Sequence, residues 1–296
     1  MNSRNPSPLR YPGGKFKISK LIALLIEKSQ TACDTYVEPF AGGAGVALDL
    51  LMDGLVERIV INDSDRAISS IWKAMTESNS EFLDKMMSTE ISLAEWKRQR
   101  AIYFESRKYS LDYGFAAFFL NRTNHSGILG SGPIGGMKQE GAWKLDVRFN
   151  KAELAKKIKA IGELGGQIKV FNRDVFSFIR NQLPRVGARA FAYFDPPYYC
   201  RGKVLYQNFF TEKLHKELSR VIQSSVAVPW IVSYDSVPAI QDIYKGLPKR
   251  EFSLNYSLAN NGYGREVMFF KDKSLMPTKK EIISIGMENL FYGEVV

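Results

Sequence analysis

The chain has 296 residues, of which 45% are hydrophobic and 24% charged, and a formal net charge of +10 at pH 7 with an isoelectric point near 9.4. This length can bury the core of one large α/β domain carrying a smaller insertion, and the composition argues against a disordered or fibrous protein. The positive charge would attract a polyanion such as nucleic acid, although charge alone does not identify a partner.

The chain is poor in residues that bind metals, with two cysteines and two histidines and no Cys-x-x-Cys or Cys/His ligand spacing. We therefore expect no metal site. No apolar run approaches the ~18 residues needed to cross a bilayer, and the polar residues 1–5 lack the hydrophobic core of a signal peptide. These features predict a cytoplasmic protein with no membrane partner.

The first predicted elements form two strand–helix units. A glycine-rich turn, Phe40–Gly45, separates the first strand from the first helix, and the acidic Asp63 follows the second strand. Strands and helices that alternate in this way are typical of a doubly wound α/β sheet. The pattern predicts strands at Thr35–Val37 and Arg58–Asn62, and helices at Val46–Met52 and Asp65–Thr76.

The pattern changes after about residue 76. Residues from about 77 to 125 lose the strand signal and are predicted to be helical, including helices at Leu93–Lys108 and Tyr113–Leu120. Glycines then cluster between Gly127 and Gly141, a density that favours turns or a loop-rich hairpin. We interpret residues 77–150 as a module inserted into one discontinuous α/β domain, which residues 1–76 and 151–296 form.

The alternating pattern resumes after Asn150, a predicted N-cap. The strand before Asp195 is nearly all apolar or aromatic, so it is predicted to be buried and to carry Asp195-Pro196-Pro197-Tyr198 at its carboxyl end, where ligands bind in open α/β sheets. The segment from Lys273 receives no assignment. The predicted helices are Lys151–Leu164, a short one opening at Asp174, Thr211–Gln223 and one near Val237–Tyr244, and the predicted strands are Ile168–Phe171, Arg189–Phe194, Trp230–Tyr234 and two near Glu251–Tyr256 and Glu266–Phe270.

The glycine turn and Asp63 have the spacing of a nucleoside site. Glycines let backbone N–H groups approach a ligand closely, and an acid about twenty residues later can bind ribose hydroxyls. Taken alone, the glycines are equally explained by a tight structural turn. The turn departs from Gly-x-Gly-x-x-Gly, which argues against a nicotinamide-dependent oxidoreductase.

Asp195-Pro196-Pro197-Tyr198 contains the groups needed to activate a planar amine. The lone pair of adenine N6 is delocalised into the ring, so a catalyst must favour the pyramidal nitrogen of the transition state. The Asp195 carboxylate and the Pro196 carbonyl can each accept one N6 hydrogen, and the paired prolines stiffen the turn. Tyr198 offers a face on which an extruded base can stack. Taken alone, the tetrapeptide is also compatible with a strand-ending turn and a surface tyrosine.

Four motifs together resemble those of the Dam-like, D12 class of bacterial and phage DNA adenine-N6 methyltransferases. The resemblance covers most of the chain, and the motifs occur in that family's order. It implies a class I methyltransferase fold with a mostly parallel seven-stranded, Rossmann-like sheet, S-adenosylmethionine as methyl donor and no metal. The motifs are Arg10-Tyr11-Pro12-Gly13-Gly14-Lys15, Glu38-Pro39-Phe40-Ala41-Gly42-Gly43, Asn121-Arg122 and Asp195-Pro196-Pro197-Tyr198.

The resemblance also implies roles for individual residues. Asp195, Pro196, Pro197 and Tyr198 would form the catalytic centre, with Asp195 between the cofactor and the base. Tyr11 stands where the family often has tryptophan, which keeps an aromatic face. Without the resemblance, Lys15 would be one solvated cation among several and Asp174 a helix cap. The cofactor-binding residues implied are Tyr11, Lys15, Glu38, Phe40, Gly42, Gly43, Asp63, Asp174 and Asp195.

The family's order places target recognition between the glycine turn and the catalytic motif, where the insertion is predicted. Polar and basic side chains of this segment suit phosphate or base-edge contacts, although each alone would equally be a solvated surface residue. We expect double-stranded DNA as the partner of a monomeric enzyme, and a cognate restriction endonuclease acting separately is compatible with this family. The candidate DNA-binding residues are Asn121, Arg122, Asn124, Lys138, Gln139 and Lys144.

Two other functions stay open at this point. An amino methyltransferase acting on RNA or on protein glutamine faces the same lone-pair problem. The glutamine enzymes, however, typically have Asn in place of Asp195 and lack the N-terminal Tyr-Pro-Gly-Gly-Lys element. A catalytically silent DNA-binding relative would not need an intact Asp195-Pro196-Pro197-Tyr198 motif. Asp195 and Lys15 therefore favour methylation of adenine in DNA.

Overall fold

A computed structural model describes residues 5–11, 13–106, 108–199, 210–254 and 264–288. Its strands are β1 (Thr35–Glu38), β2 (Arg58–Asn62), β3 (Ile168–Phe171), β4 (Ala190–Phe194), β5 (Trp230–Asp235), β6 (Lys249–Leu254) and β7 (Gly264–Phe270). They form one seven-stranded sheet in the order β3-β2-β1-β4-β5-β7-β6. Strands β1 to β5 are parallel, whereas β7 pairs antiparallel with both β5 and β6.

Helices cover both faces of this sheet. The α-helices of the described residues are α1 (Ser19–Lys28), α2 (Gly45–Met52), α3 (Arg66–Glu77), α4 (Asn79–Ser88), α5 (Leu93–Glu105), α6 (Leu111–Thr123), α7 (Lys151–Glu163), α8 (Val175–Asn181), α9 (Glu212–Ser225), α10 (Pro238–Ile243) and α11 (Lys279–Ser284). Short 3₁₀ helices lie at Phe16–Ile18, His125–Gly127, Gly165–Gln167, Leu183–Arg185 and Lys273–Leu275. No helix within the described ranges is both long and apolar enough to span a membrane.

The central strands are buried on both faces. Every residue of β1 and β4 is buried, and only the last residue of β5 is partly exposed. Strands buried in this way belong to parallel sheets with helices on both faces. One hydrophobic core lies between the sheet and α1, α2 and α3, and the other lies between the sheet and α8, α9 and α10. The carboxyl ends of β1, β2 and β4 are thereby fixed side by side at one edge.

The helices of the predicted insertion share the first of these cores. Phe82 of α4 makes edge-to-face contacts with Phe115 and Phe118 of α6. A Cβ at Gly114 of α6 would lie 2.6 Å from the carbonyl oxygen of Ser70 on α3, so the two helices approach closely. The segment predicted to recognise DNA is therefore packed onto α3, the helix that follows Asp63. The domain boundaries at residues 77 and 150 stay a prediction.

Several predicted elements differ from the observed ones. Helix α5 ends at Glu105, because Ser106 has extended backbone, and not at Lys108. The Gly127–Gly141 stretch forms turns with an isolated bridge between Asn124 and Pro133, and no hairpin is present in this described stretch. The last residues of the strand predicted near Glu251–Tyr256 lie outside the described residues.

Two observed helices were not predicted, although the sequence carries signals for both. Helix α1 has apolar residues spaced for one buried face, with Leu21, Ile22 and Leu25 fully buried. Helix α11 begins at a capping box, in which Thr278 and Glu281 each accept a hydrogen bond from the other's backbone N–H. Both helices pack into the core that contains α2.

Candidate active site

A cavity opens at the carboxyl ends of β1, β2 and β4. The N-terminal segment, the glycine turn after β1, the acidic turn after β2 and the turn after β4 each contribute to its wall. This is the edge of a parallel sheet where ligands bind. The lining residues include Asn5, Ser7, Leu9, Tyr11, Lys15, Phe16, Glu38, Phe40, Ala41, Gly43, Asp63, Asp65, Tyr193, Asp195, Pro197 and Phe210.

The glycine turn is shaped by Asp63. One carboxylate oxygen of Asp63 accepts a hydrogen bond from the Gly42 N–H at 2.9 Å, and the other accepts from the Asp65 N–H at 2.9 Å. The Trp72 indole N–H donates to the Gly42 carbonyl at 2.9 Å. Gly42 has φ of +46°, and a Cβ there would lie 2.5 Å from the ring of Tyr11. Only glycine fits this position without displacing Tyr11.

Burial raises the pKa of two acids on this wall. Glu38 is buried at the end of β1, where burial raises its pKa to about 8 although the Tyr36 hydroxyl donates a hydrogen bond to it at 3.0 Å. Burial, with repulsion from Asp65, raises the pKa of Asp63 to about 7. Loss of solvent penalises the charged carboxylate in both cases. A cationic ligand in the cavity would favour their ionised forms.

The Asp195 carboxylate is held by two neighbours. Its Oδ1 accepts a hydrogen bond from the Ser233 hydroxyl at 2.9 Å, and Ser233 is itself hydrogen-bonded to the Tyr193 hydroxyl at 2.7 Å. The Lys15 ammonium lies 2.9 Å from Oδ1 and 3.0 Å from Oδ2. Farther along the turn, the Tyr199 N–H donates to Asp235 at 2.9 Å, which ties the turn to the end of β5. The aspartate is therefore fixed in place at the wall of the cavity.

A buried polar cluster lies behind Asp195. Lys15 donates to the Tyr198 hydroxyl at 2.7 Å, and that hydroxyl donates to Oε1 of Glu266. Burial disfavours the Lys15 ammonium, but the attraction of Asp195 and Glu266 outweighs it and raises the pKa of Lys15 well above its usual value. Burial raises the pKa of Glu266 to about 7, against the opposing effect of Lys15. The site thus contains a permanently charged lysine and an acid that titrates near neutrality.

The structure brings together most of the predicted cofactor and catalytic residues, with four differences. Pro196 is buried and is not among the lining residues. Asp174 is exposed, caps α8 through the Ser177 N–H and is not among the lining residues. Gly42 is not among the lining residues, whereas the adjacent Gly43 is. Tyr198 is 8% exposed, so its ring does not present the open stacking face that the sequence predicted, because its hydroxyl is drawn inward by Lys15 and Glu266.

Two predicted DNA contacts have structural roles instead. Asn121 is buried, and its amide accepts from the Arg10 N–H and donates to the carbonyls of Arg10 and Gly127. Asn124 is also buried, accepts from the Trp96 indole N–H and donates to two carbonyls of the following loop. Both amides are fully used inside the protein. That of Asn121 ties the insertion to the N-terminal segment, and that of Asn124 holds parts of the insertion together.

The other four candidates lie nearer the surface. Gln139 is half-buried and holds its own loop by hydrogen bonds to Ile134, Gly136 and Leu145. Arg122 donates to the carbonyls of Pro8 and Arg148, and burial, with repulsion from Arg10 and Arg148, lowers its pKa to about 10. Lys138 and Lys144 are exposed.

The sequence analysis missed several residues of the site, among them Phe16, Tyr193, Phe210, Ser233 and Glu266. The signal that was available for the last two is a polar residue next to an apolar run of its strand, Trp230–Val232 for Ser233 and Val267–Phe270 for Glu266. Such residues are buried, so they need polar partners. The other three are aromatic and are indistinguishable by residue type from the rest of the core.

This sheet order, with a cavity at the carboxyl ends of its parallel strands and an Asp-Pro-Pro-Tyr turn at its edge, defines a class I methyltransferase fold. The chain belongs to the D12 class of N6 adenine-specific DNA methyltransferases, whose family pattern it matches over residues 11–257. It is therefore an enzyme that methylates adenine N6 in DNA.

Individual relatives are more distant. The type II methyltransferase M.MjaIII of Methanocaldococcus jannaschii is 28% identical over 204 residues, which cover 64% of this chain and 68% of that protein. A structure of the rRNA methyltransferase aviRa from Streptomyces viridochromogenes is 13% identical, covers 90% of this chain and 88% of its own, and superposes with a TM-score of 0.42. A likeness at that level says nothing about the substrate.

Proposed function

We propose that the enzyme transfers the methyl group of S-adenosylmethionine to N6 of an adenine turned out of double-stranded DNA, at a specific sequence. Asp195 and the Pro196 carbonyl would accept the two N6 hydrogens. The observation that carries the proposal is that Asp195 shares one cavity with Glu38 and Asp63, so that a base acceptor and a nucleoside-binding wall face the same space.

The residues of the cavity fit S-adenosylmethionine. Acidic side chains, Glu38 and Asp63, suit its ammonium and ribose hydroxyls, while Phe16, Phe40 and Phe210 provide apolar surface for its adenine. Phe40 and Phe210 meet edge to face, with ring centroids 6.0 Å apart. Asp174, at the next strand end, stays a proposal for the cofactor adenine. When bound, S-adenosylmethionine supplies a methyl group on a positively charged sulfur.

Asp195 would act by accepting a hydrogen bond and not by removing a proton before attack. Hydrogen bonds from N6 to Asp195 and to Pro196 favour the pyramidal nitrogen and localise its lone pair. Asp195 and the Pro196 carbonyl would hold the N6 lone pair towards the bound cofactor, which would supply the methyl group and keep the electron pair of the broken bond on its sulfur. The Asp195 carboxylate would stabilise the positive charge that forms on N6, and the proton that N6 then loses would pass to solvent. Ser233 and the paired prolines keep the acceptors in place.

The insertion offers a positively charged face to DNA beside the cavity. Arg10, Arg122 and Arg148 lie close enough for Arg148 to lower the pKa of both neighbours, after the larger effect of burial. No carboxylate pairs with these three among the residues that the structure describes. A cluster of unpaired cations favours phosphate oxygens as ligands. Trp143, 68% exposed beside Lys144, adds an aromatic surface suited to bases.

The proposal is tested by incubating the enzyme with S-adenosylmethionine carrying a labelled methyl group and with unmethylated DNA, RNA or a glutamine peptide. We expect label on N6 of adenine in DNA. Asp195→Ala should lower the rate by at least about a hundredfold. Asp195→Asn, which keeps one acceptor oxygen, should lose less. Label on RNA, on peptide or on cytosine would contradict the proposal.

Folding of the Asp195→Ala variant can be checked separately. Lys15 would retain Glu266 within 3.8 Å and its bonds to Tyr198 and Gly13, so the variant should still melt cooperatively. S-adenosylhomocysteine should raise the melting temperature of both proteins with the logarithm of its concentration. No stabilisation of the wild-type protein would favour a catalytically silent DNA-binding relative.

The proposal includes the setting in which the enzyme acts. We infer a cytoplasmic monomer, with a cognate restriction endonuclease acting separately. Sequencing the DNA of cells that express the enzyme, with a readout of modified adenines, would give the modified base and its sequence context together. Modification without a common context would contradict a site-specific enzyme.

A further inference from the structure

Glu266 is a buried acidic residue on strand β7, between the exposed Arg265 and the apolar run Val267–Phe270. It lies on β7, where it pairs with Asp235 of β5 and Phe252 of β6, and it is 1% exposed. Its Oε1 accepts the Tyr198 hydroxyl. Its Oε2 has no hydrogen-bond partner among the described residues and lies 3.8 Å from the Lys15 ammonium. A buried carboxylate oxygen without a donor is costly, so its position requires an explanation.

Lys15 has no proton left for that oxygen in the present arrangement. An ammonium carries three N–H donors. They are used by Asp195, by the Tyr198 hydroxyl at 2.7 Å and by the Gly13 carbonyl at 3.2 Å. A shift of the ammonium by about 1 Å towards Oε2 would form a normal hydrogen bond to Glu266 and loosen the one to Asp195. Lys15 therefore lies near two carboxylates but donates a hydrogen bond only to that of Asp195.

The reaction gives this second carboxylate a use. An ammonium bound to Asp195 neutralises the carboxylate and weakens it as an acceptor for N6 hydrogens. During methyl transfer a positive charge develops on N6, and a lysine on the same aspartate would repel it. We propose that Glu266 is a positioning residue that draws the Lys15 ammonium away from Asp195 during methyl transfer, so that Asp195 faces the charge on N6. This inference rests on the proposed role of Asp195.

The first test compares Glu266→Gln with the wild-type enzyme in single-turnover methyl transfer to unmethylated DNA, at saturating labelled S-adenosylmethionine. Glutamine keeps the size of the side chain and an acceptor for Tyr198 but removes the charge. We expect the rate constant to fall by about ten- to a hundredfold, the effect of one hydrogen bond to a charged group. Binding of S-adenosylhomocysteine and of DNA should change less than about twofold, because neither needs the displaced lysine.

A matched control is Glu251→Gln on the adjacent strand β6. Glu251 is half-buried and hydrogen-bonded to Ser236 and Gln241, away from the cluster. The same chemical change there should leave the rate constant unaltered. The inference is wrong if Glu266→Gln stays within twofold of the wild-type rate, or if its loss is matched by equally weak S-adenosylhomocysteine binding, as a purely structural role would produce.

A double-mutant cycle then asks whether Glu266 acts through Lys15. In a Lys15→Met background there is no ammonium to reposition, so Glu266→Gln should change the rate constant by less than about twofold. An equal loss in both backgrounds would overturn the inference, and if Lys15→Met is too slow to time, the first comparison decides. An inactive wild-type enzyme would refute the proposed function itself. An active enzyme whose rate constant is unchanged by Glu266→Gln would refute only the role of Glu266.

Discussion

At the level of single residues, the site places four acidic side chains around the buried Lys15 ammonium. Glu38, Asp63 and Asp195 line the cavity, and Glu266 lies behind them. The buried Lys15 ammonium forms ion pairs with Asp195 and Glu266. The excess of carboxylates over cations destabilises the empty protein but suits a ligand that carries a sulfonium and an ammonium.

This excess of acid should make the free protein more stable at lower pH. The unfolded pKa of Glu38 is near 4.5 and its folded pKa is about 8, so the folded protein binds the proton more tightly. The stabilisation is complete below the unfolded pKa and is lost as the pH rises through about 8. From pH 6.5 to 8 we expect the free energy of unfolding to fall, with Glu38 contributing roughly 1 kcal/mol per pH unit.

Urea unfolding of wild-type and Glu38→Gln protein, without ligand, measures this contribution. The substitution should flatten the pH dependence, whereas Glu163→Gln at the exposed end of α7 should not. The comparison is made above pH 6.5, because His215, whose pKa burial lowers to about 4, adds a slope of opposite sign below it. Parallel curves for wild-type and Glu38→Gln protein would contradict the assigned pKa.

Residue identity predicted chemistry better than it predicted orientation. Asp195, Lys15 and Asp63 reached the cavity because a strand or a turn ends there. Asn121 and Asn124 have side chains suited to DNA, yet the Asn121 amide binds backbone groups, and the Asn124 amide binds the Trp96 indole and backbone carbonyls. A sequence shows that an amide is present but not whether a carbonyl across the fold will use it first.

At the level of elements, the glycine turn between β1 and α2 depends on three contacts that come from elsewhere in the chain. Asp63 and Trp72 bind its backbone, and the ring of Tyr11 packs where a Cβ at Gly42 would lie. The spacing from Gly42 to Asp63 was visible in the sequence. The contact with Tyr11 was not, because it joins residues whose proximity only the folded sheet creates.

Gly42→Ala should therefore harm both stability and cofactor binding. The alanine would have to adopt a positive φ, and its methyl group would lie 2.5 Å from the Tyr11 ring. Together the strain and the clash should lower the free energy of unfolding by roughly 2–4 kcal/mol. S-adenosylhomocysteine should bind at least about tenfold more weakly, because Tyr11 and the turn both line the cavity. Calorimetric titration and urea unfolding measure the two effects.

Gly54→Ala provides the matched control for this prediction. Gly54 also has a positive φ, of +69°, but nothing lies within 4 Å of its Cβ position. It should cost only the backbone strain, about 1 kcal/mol, and leave ligand binding unchanged. Equal effects of the two substitutions would show that strain, and not the contact with Tyr11, determines the behaviour of Gly42.

Elements with strong local signals were predicted well, and the exceptions have local causes. Strands β1, β2 and β4 are short hydrophobic-rich runs bounded by turn residues, and their parallel pairing agrees with the predicted alternation of strands and helices. The sequence is compatible with either turns or a hairpin at Gly127–Gly141, because glycines permit both. The hydrogen bonds of Asn124 and Gln139 that decide between them are not visible in the sequence pattern. Recognition of DNA depends on this least predictable segment.

At the level of the whole molecule, the net charge of +10 explains DNA binding only if basic side chains lie on the face that contacts DNA. Lys138 and Lys144 are exposed on the insertion, whose Asn121 and Arg122 bind the N-terminal segment that lines the cavity. Arg185 is equally exposed but lies in the turn before β4, at the opposite edge of the sheet. Comparing the two lysines of the insertion with Arg185 therefore distinguishes a general effect of charge from a local contact with DNA.

Salt dependence distinguishes the two, because each phosphate contact releases condensed counterions. The logarithm of the binding constant for duplex DNA should fall linearly with the logarithm of salt concentration between about 50 and 200 mM. Lys138→Ala and Lys144→Ala should each reduce the magnitude of that slope by about 0.9, whereas Arg185→Ala, which removes the same charge, should leave it unchanged. Fluorescence anisotropy with a labelled duplex gives the slopes. If all three variants lower the slope equally, the insertion is not the DNA-binding face, because only the total charge of the molecule would then matter.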